Sequence, residues 1–114
     1  MKAYAVVFAP EAGDSLVSLH DYIAAQGSPA AAEQYTSAIV TYCESLAAFP
    51  HRGTRRDHIR PGLRITNYRR RTVIAFEVDD ASARVAILGV FYGGRDYERA
   101  LGEDPSRDDA PDPA

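Results

Sequence analysis

The sequence lacks tryptophan and has one methionine, one lysine (Lys2) and one cysteine in 114 residues. A lone thiol, Cys43, can neither close an internal disulfide nor hold a metal by itself, so it reads as a small core hydrophobe. The three histidines, His20, His51 and His58, show no ligand spacing with Cys43 or with carboxylates. No metal and no organic cofactor is therefore expected. No apolar run approaches the roughly 18 residues of a membrane span. The chain enters a strand almost at once, which does not read as a signal peptide, so the expectation is a soluble, cytoplasmic protein without membrane contact. This length has room for one domain, and 46% hydrophobic residues suffice for a modest core.

A net charge of −3 argues against a nucleic-acid binder, and no sequence-specific DNA binding is expected of this chain. The distribution of charge is more informative than the sum. Between Ala9 and Pro50 stand five acids and no lysine or arginine. From His51 to Arg71 there are eight arginines against Asp57 alone, and after Leu101 five acids against Arg107. The order acidic, basic, acidic concentrates positive charge where its field can steer an anionic partner.

Three runs between Leu63 and Tyr92 alternate with period two, the pattern of strands whose successive side chains leave on opposite faces. In the first, Leu63 and Ile65 are expected inward, with Arg64 and Thr66 outward. In the second, Thr72, Ile74, Phe76 and Val78 share a face. In the third, Val85, Ile87, Gly89 and Phe91 do, opposite Arg84, Ala86, Leu88, Val90 and Tyr92. Asn67 to Arg70 and Asp79 to Ser82 read as turns, so the three strands form an antiparallel meander.

Before the meander come a strand, Lys2 to Phe8, and two helices. Pro10 suits a first helical position, and Ala12, Leu16, Leu19 and Ile23 make one apolar stripe. His20 beside that stripe reads as a partly buried structural residue. Gly27 stops the first helix, and Ser28-Pro29 caps and opens the second. Ala32, Tyr35, Ile39, Tyr42 and Leu46 form the second stripe. The short connection makes the pair an antiparallel hairpin. His51 to Arg60 reads as a loop, and Asp96 to Leu101 as a terminal turn or short helix. The expectation is an α+β domain of order β-α-α-β-β-β with its helices on one face of the sheet. The first strand should pair with one of the long strands. The domain should span 1–101, followed by a disordered, acidic, proline-rich tail over 102–114.

Several phrases in this order resemble the RelE/ParE toxin superfamily, most closely its ParE branch. They are Ser28-Pro29 with Ala32-Glu33-Gln34-Tyr35, Leu46-Ala47-Ala48-Phe49-Pro50 with Gly53, Arg60-Pro61-Gly62-Leu63-Arg64, Val73-Ile74-Ala75-Phe76, and the run Ile87 to Tyr97. The resemblance covers about residues 2 to 101. It implies the toxin of a type II toxin–antitoxin pair, with growth arrest and plasmid stabilisation as associated roles. Such a toxin is held in a hetero-oligomer by a ParD-like antitoxin whose carboxyl-terminal segment wraps it. ParE-type members poison DNA gyrase; RelE-type members cleave mRNA on the ribosome.

The residues weigh these two chemistries differently. RNA cleavage needs a proton acceptor, a cation for the phosphate and a donor for the leaving oxygen. The candidates are His58, Arg64, Tyr92, Arg95 and Tyr97. Arg64 matches the superfamily's strand arginine, but Arg55 and Arg56 replace its lysine pair, and Tyr92 stands where many members have histidine. Tyrosine and arginine keep their protons at neutral pH, which suits a general base poorly. A gyrase poison needs only a surface. Arg64, Arg69, Arg70, Arg71, Tyr92 and Arg95 are the candidate target-binding residues, expected as one basic face on the uncovered side of the sheet. An inactive toxin-like binding module is the third alternative.

Overall fold

The computed structural model describes residues 3–93 and 97–102. A strand β1 (Ala5–Phe8) leads into helices α1 (Pro10–Gln26) and α2 (Pro29–Glu44), and a 3₁₀ turn (Ser45–Ala47) extends the second. Strands β2 (Thr54–Arg55), β3 (Leu63–Tyr68), β4 (Thr72–Asp79) and β5 (Arg84–Tyr92) follow, then a short helix α3 (Tyr97–Gly102). All five strands join one sheet of order β1-β5-β4-β3-β2. The strand, helical hairpin and antiparallel meander are those expected. The partner of β1 is the last long strand, β5, and the pairing is parallel. A parallel pair needs a crossover connection, which the helical hairpin provides. No described helix is long and apolar enough to cross a membrane.

The local signals act as their chemistry dictates. Pro10 and Pro29 occupy first turns, and Ser28 Oγ accepts from the Ala31 N–H at 3.0 Å. Ala12, Leu19, Ile39, Cys43 and Leu46 from the helical segment pack on Ile74, Phe76, Val85, Ile87 and Val90 of the sheet. Four boundaries differ from expectation. The first strand begins at Ala5 rather than Lys2, and β3 runs on through Asn67 and Tyr68, leaving only residues 69–71 to turn. Thr54–Arg55, expected as loop, pairs with β3 as a two-residue edge strand. Helix α3 takes in Gly102, one residue past the expected end of the terminal turn or helix at Leu101. Residues 103–114, expected as a disordered tail, lie outside the described residues.

Two face assignments are corrected, and both matter for the site. Ala75 pairs with Gly89 but Phe76 with Ile87, so Leu88 is an extra residue in β5. This bulge inverts the alternation beyond it. Val85, Ile87, Val90 and Tyr92 all join the helix-side core, whereas Leu88 and Phe91 turn to the opposite face. In β3, Arg64, Thr66 and Tyr68 pair with Phe76, Ile74 and Thr72, so they share the helix side. Leu63 and Ile65 point the other way and are buried there with Ala75, against Ile59, Val73, Leu88, Phe91, Tyr97 and Leu101. The face that α1 and α2 leave free is therefore apolar, roofed by α3 and the turn around Ile59. It is not the basic face expected from the sequence.

The arginine-rich loop is drawn tightly onto β3. Gly53 has φ +84°, and a Cβ built on it would lie 2.1 Å from the Ile65 carbonyl oxygen. Only glycine permits both that backbone angle and that approach.

Candidate functional site

Two tyrosines seven residues apart, Tyr35 and Tyr42, point from α2 at the sheet. Their hydroxyls meet Thr72 Oγ1 at 2.7 Å and Thr66 Oγ1 at 3.1 Å. Thr72 and Thr66 are the buried polar side chains described, and each needs such a partner to offset its desolvation. The two tyrosines belong to a longer row. Ring centroids run from Tyr22 to Tyr92 at 6.0 Å, Tyr92 to Tyr35 at 5.9 Å, Tyr35 to Tyr68 at 5.9 Å and Tyr68 to Tyr42 at 5.3 Å. Tilted and edge-on contacts at these spacings are favourable for aromatic quadrupoles. The row lies between the helical hairpin and the ends of β3, β4 and β5.

Arginines load this row from the solvent side. The Arg71 guanidinium stands 5.6 Å from the Tyr92 ring, Arg69 is 5.3 Å from Tyr68 and 6.0 Å from Tyr35, and Arg52 is 5.4 Å from both Tyr42 and Phe49. Guanidinium over an aromatic face is a cation–π geometry. Arg69 reaches its place with φ +56°, a conformation costing a non-glycine residue about 1–2 kcal/mol. The Gly93 N–H donates to the Arg71 carbonyl at 2.8 Å and ties the end of β5 to this turn. Among the described residues, Arg69, Arg70 and Arg71 form no ion pair. Beside Arg71 and Tyr92 opens a cleft of about 720 Å³, walled across from them by Glu11, Asp14 and Tyr22 of α1.

The second basic element is the loop before β3, whose charges are largely engaged in holding its shape. Asp57 accepts from the Gly62 N–H and from Arg55 Nε, each at 2.9 Å. The backbone donor and then Arg55 hold its carboxyl below the usual range. Arg60, not Arg64, pairs with Glu77, at 3.5 Å. Arg64 donates instead to the carbonyls of Arg52 at 3.2 Å and His51 at 2.6 Å. His51 in turn meets Asp80 at 2.9 Å, and Asp80 accepts from the Tyr4 hydroxyl at 2.7 Å. His20, expected partly buried, lies between Glu33 at 3.6 Å and Asp21 at 3.8 Å.

The sequence-predicted residues thus fall into separate places. Arg69, Arg71 and Tyr92 come together at one end of the sheet, with Arg70 exposed on the same turn. Arg64 lies two strands and four residues from Tyr92, about 16 Å by strand geometry. Tyr97 packs beside Phe91 at 6.2 Å on the opposite face, and His58 is exposed on the turn 57–59. The residues named for RNA cleavage are not gathered. Arg95 lies outside the described residues. Sequence reading missed Arg52, Tyr22, Tyr42 and Tyr68 as members of the row. The available signal was five tyrosines on elements that the fold brings to one layer, but their contacts are non-local.

Comparison with known proteins agrees with this architecture. The family described as ParE toxin of type II toxin-antitoxin system, parDE, matches over residues 6–97. Curated protein sequences give no match. Among solved structures, the chromosomal ParDE system of P. aeruginosa is similar with a TM-score of 0.67 and 21% identity, covering 79% of this chain and 96% of that one. The RelBE2 toxin–antitoxin complex of Mycobacterium tuberculosis gives 0.57 and 22%, covering 79% and 98%. A double arginine-to-alanine variant of the E. coli toxin RelE in the free state gives 0.57 and 17%, covering 88% and 94%. At these identities the structural likenesses show a shared fold, and the match over residues 6–97 adds the family. The chain is a member of the ParE toxin family of type II toxin–antitoxin systems.

Proposed function

We propose that this toxin acts by binding DNA gyrase in the cytoplasm, without making or breaking bonds itself, and that a ParD-like antitoxin neutralises it in a hetero-oligomer. One observation carries the reading: Arg69 and Arg71 are stacked on the rings of Tyr68, Tyr35 and Tyr92 with no carboxylate partner among the described residues. Arginines held by aromatic rings keep their forks open to an anionic or backbone-rich surface, which is how such residues serve at interfaces. Arg70 and Arg95 are proposed to extend this surface. The separation of Arg64 from Tyr92 supports the same reading, because a cleavage site needs its groups within hydrogen-bond reach of one phosphate.

Purified toxin in a gyrase supercoiling assay and in a ribosome-dependent mRNA cleavage assay separates the alternatives. The expected outcome is inhibition of supercoiling with intact mRNA. Cut mRNA with unaffected supercoiling would point to a RelE-like endoribonuclease, and no effect in either assay to an inactive binding module. Either result refutes the proposal.

A further inference from the structure

Helix α3 delivers the chain to the arginine-rich loop. A Cβ built at Gly102 would lie 3.5 Å from Ile59 Cγ2 and 3.6 Å from the Ile59 carbonyl oxygen. Ile59 sits in a tight turn in which its own N–H and that of Arg60 donate to the Arg56 carbonyl at 3.0 and 3.3 Å. The loop and the start of β3 carry Arg52, Arg55, Arg56, Arg60 and Arg64, and among the described residues two carboxylates pair with them, Asp57 with Arg55 and Glu77 with Arg60. Arg56 donates to the Arg55 carbonyl at 3.4 Å and has no carboxylate partner among the described residues. Five guanidiniums against Asp57, Glu77 and Asp80, the last of which faces His51 and Arg64, leave a local excess of about two positive charges. Immediately past Gly102 the sequence places Glu103, Asp104, Asp108, Asp109 and Asp112 against Arg107.

We propose that the loop around Arg56 is a docking surface for an acidic peptide, and that its occupant in the free toxin is the chain's own segment 103–114. In the sequence two acids follow directly on Gly102, the residue that α3 brings beside Ile59, which stands between Arg56 and Arg60 in the loop. Twelve residues reach at most about 40 Å when extended, enough to cover the whole loop. Each exposed ion pair contributes only about 0.2–1 kcal/mol. Covalent tethering supplies the rest, because a short connection sets an effective concentration in the millimolar range. An acidic partner that seeks the same arginines must displace the segment first. The segment therefore sets a threshold and a salt dependence for that encounter. This inference is independent of the target that the toxin meets at Arg71 and Tyr92.

The test uses the full chain and a variant carrying Glu103→Gln with Asp104→Asn, Asp108→Asn, Asp109→Asn and Asp112→Asn. Backbone amide spectra are compared at about 0.01 M and about 1 M salt, where screening lengths are about 30 Å and 3 Å. The amides of Arg55, Arg56, Ile59 and Arg60 should differ between the two proteins at low salt and converge at high salt. A labelled decaglutamate peptide should bind the variant about 3- to 10-fold more tightly at low salt, the scale of one or two exposed ion pairs. Arg56→Gln in the parent should shrink the low-salt differences. Identical loop spectra with equal peptide affinity overturn the proposal. So do differences that grow with protein concentration, which would put the segment on a second copy.

Discussion

Arg64 Nη2 donates to the His51 carbonyl at 2.6 Å, and its Nε donates to the Arg52 carbonyl at 3.2 Å. One guanidinium thus closes a loop of a dozen residues by its two ends, reaching from β3 back to the chain just after the 3₁₀ turn. The most recognisable arginine of the sequence is in this chain a structural clamp.

The first prediction follows from that clamp. Arg64→Ala leaves two carbonyls without their charged donor, and hydrogen bonds to charged groups contribute about 1.5–3 kcal/mol each at most. Stability should fall by about 1–3 kcal/mol, read from the midpoint of urea unfolding. Arg64→Lys should recover only part, because an ammonium lacks the fork that spans both carbonyls. A midpoint unchanged by Arg64→Ala would show that the loop holds its shape without the clamp.

How far the sequence revealed this molecule depends on the range of each signal. The helical hairpin was legible because stripes such as Ala12, Leu16, Leu19 and Ile23, and caps such as Ser28-Pro29, are local. The relative faces within β3 were also legible, since Leu63 and Ile65 do lie opposite Arg64 and Thr66. Their side of the sheet was not, because two apolar layers pack here, one on each face, and a single strand's alternation cannot say which is which. The bulge at Leu88 is set by the register with β4 and leaves no mark in the local pattern. Tyr92 was named as a site residue, but the row that fixes it needs Tyr22, Tyr35 and Tyr68 from three distant elements.

Arg71 separates binding from folding. Its guanidinium rests on Tyr92 at 5.6 Å, and an exposed contact of that kind contributes about 0.5–1 kcal/mol. Arg71→Ala should therefore shift the unfolding midpoint little, while its inhibition of gyrase supercoiling falls by about tenfold or more, the loss expected of an interface anchor. Inhibition equal to the parent's would remove Arg71 from the target surface.

Cys43 is fully buried in the helix-side core, and burial first, then the Glu44 carboxylate, push its thiol pKa up to about 12. The thiolate is the reactive form, so the native protein should be inert to a thiol-disulfide reagent at neutral pH. Labelling should appear only in denaturant, along the same transition as unfolding. Cys43→Ser should cost about 1–3 kcal/mol, because the hydroxyl enters a site built for an apolar group. Prompt labelling of the native protein would contradict the packing described here.

Tyr4 and Asp80 give stability a dependence on pH at both ends of the scale. The hydrogen bond from the Tyr4 hydroxyl is the main cause that holds the Asp80 carboxyl below its ordinary range, with His51 adding to it. The same bond is the main cause that raises the Tyr4 pKa above its ordinary value. A depressed carboxyl contributes stability that is present above its unfolded pKa and lost as pH falls through the folded one. A raised phenol contributes stability that is present below its unfolded pKa and lost as pH rises through the folded one. Tyr4→Phe should therefore flatten both flanks of the stability–pH profile while leaving the neutral region nearly level. The carboxyl titration of Asp80, followed by carbon-13 NMR, should move up toward an ordinary aspartate. It should not return fully, since His51 still faces Asp80 at 2.9 Å. An Asp80 titration that is the same in parent and variant would locate the source of its depression elsewhere, in His51 or in the more distant Arg64.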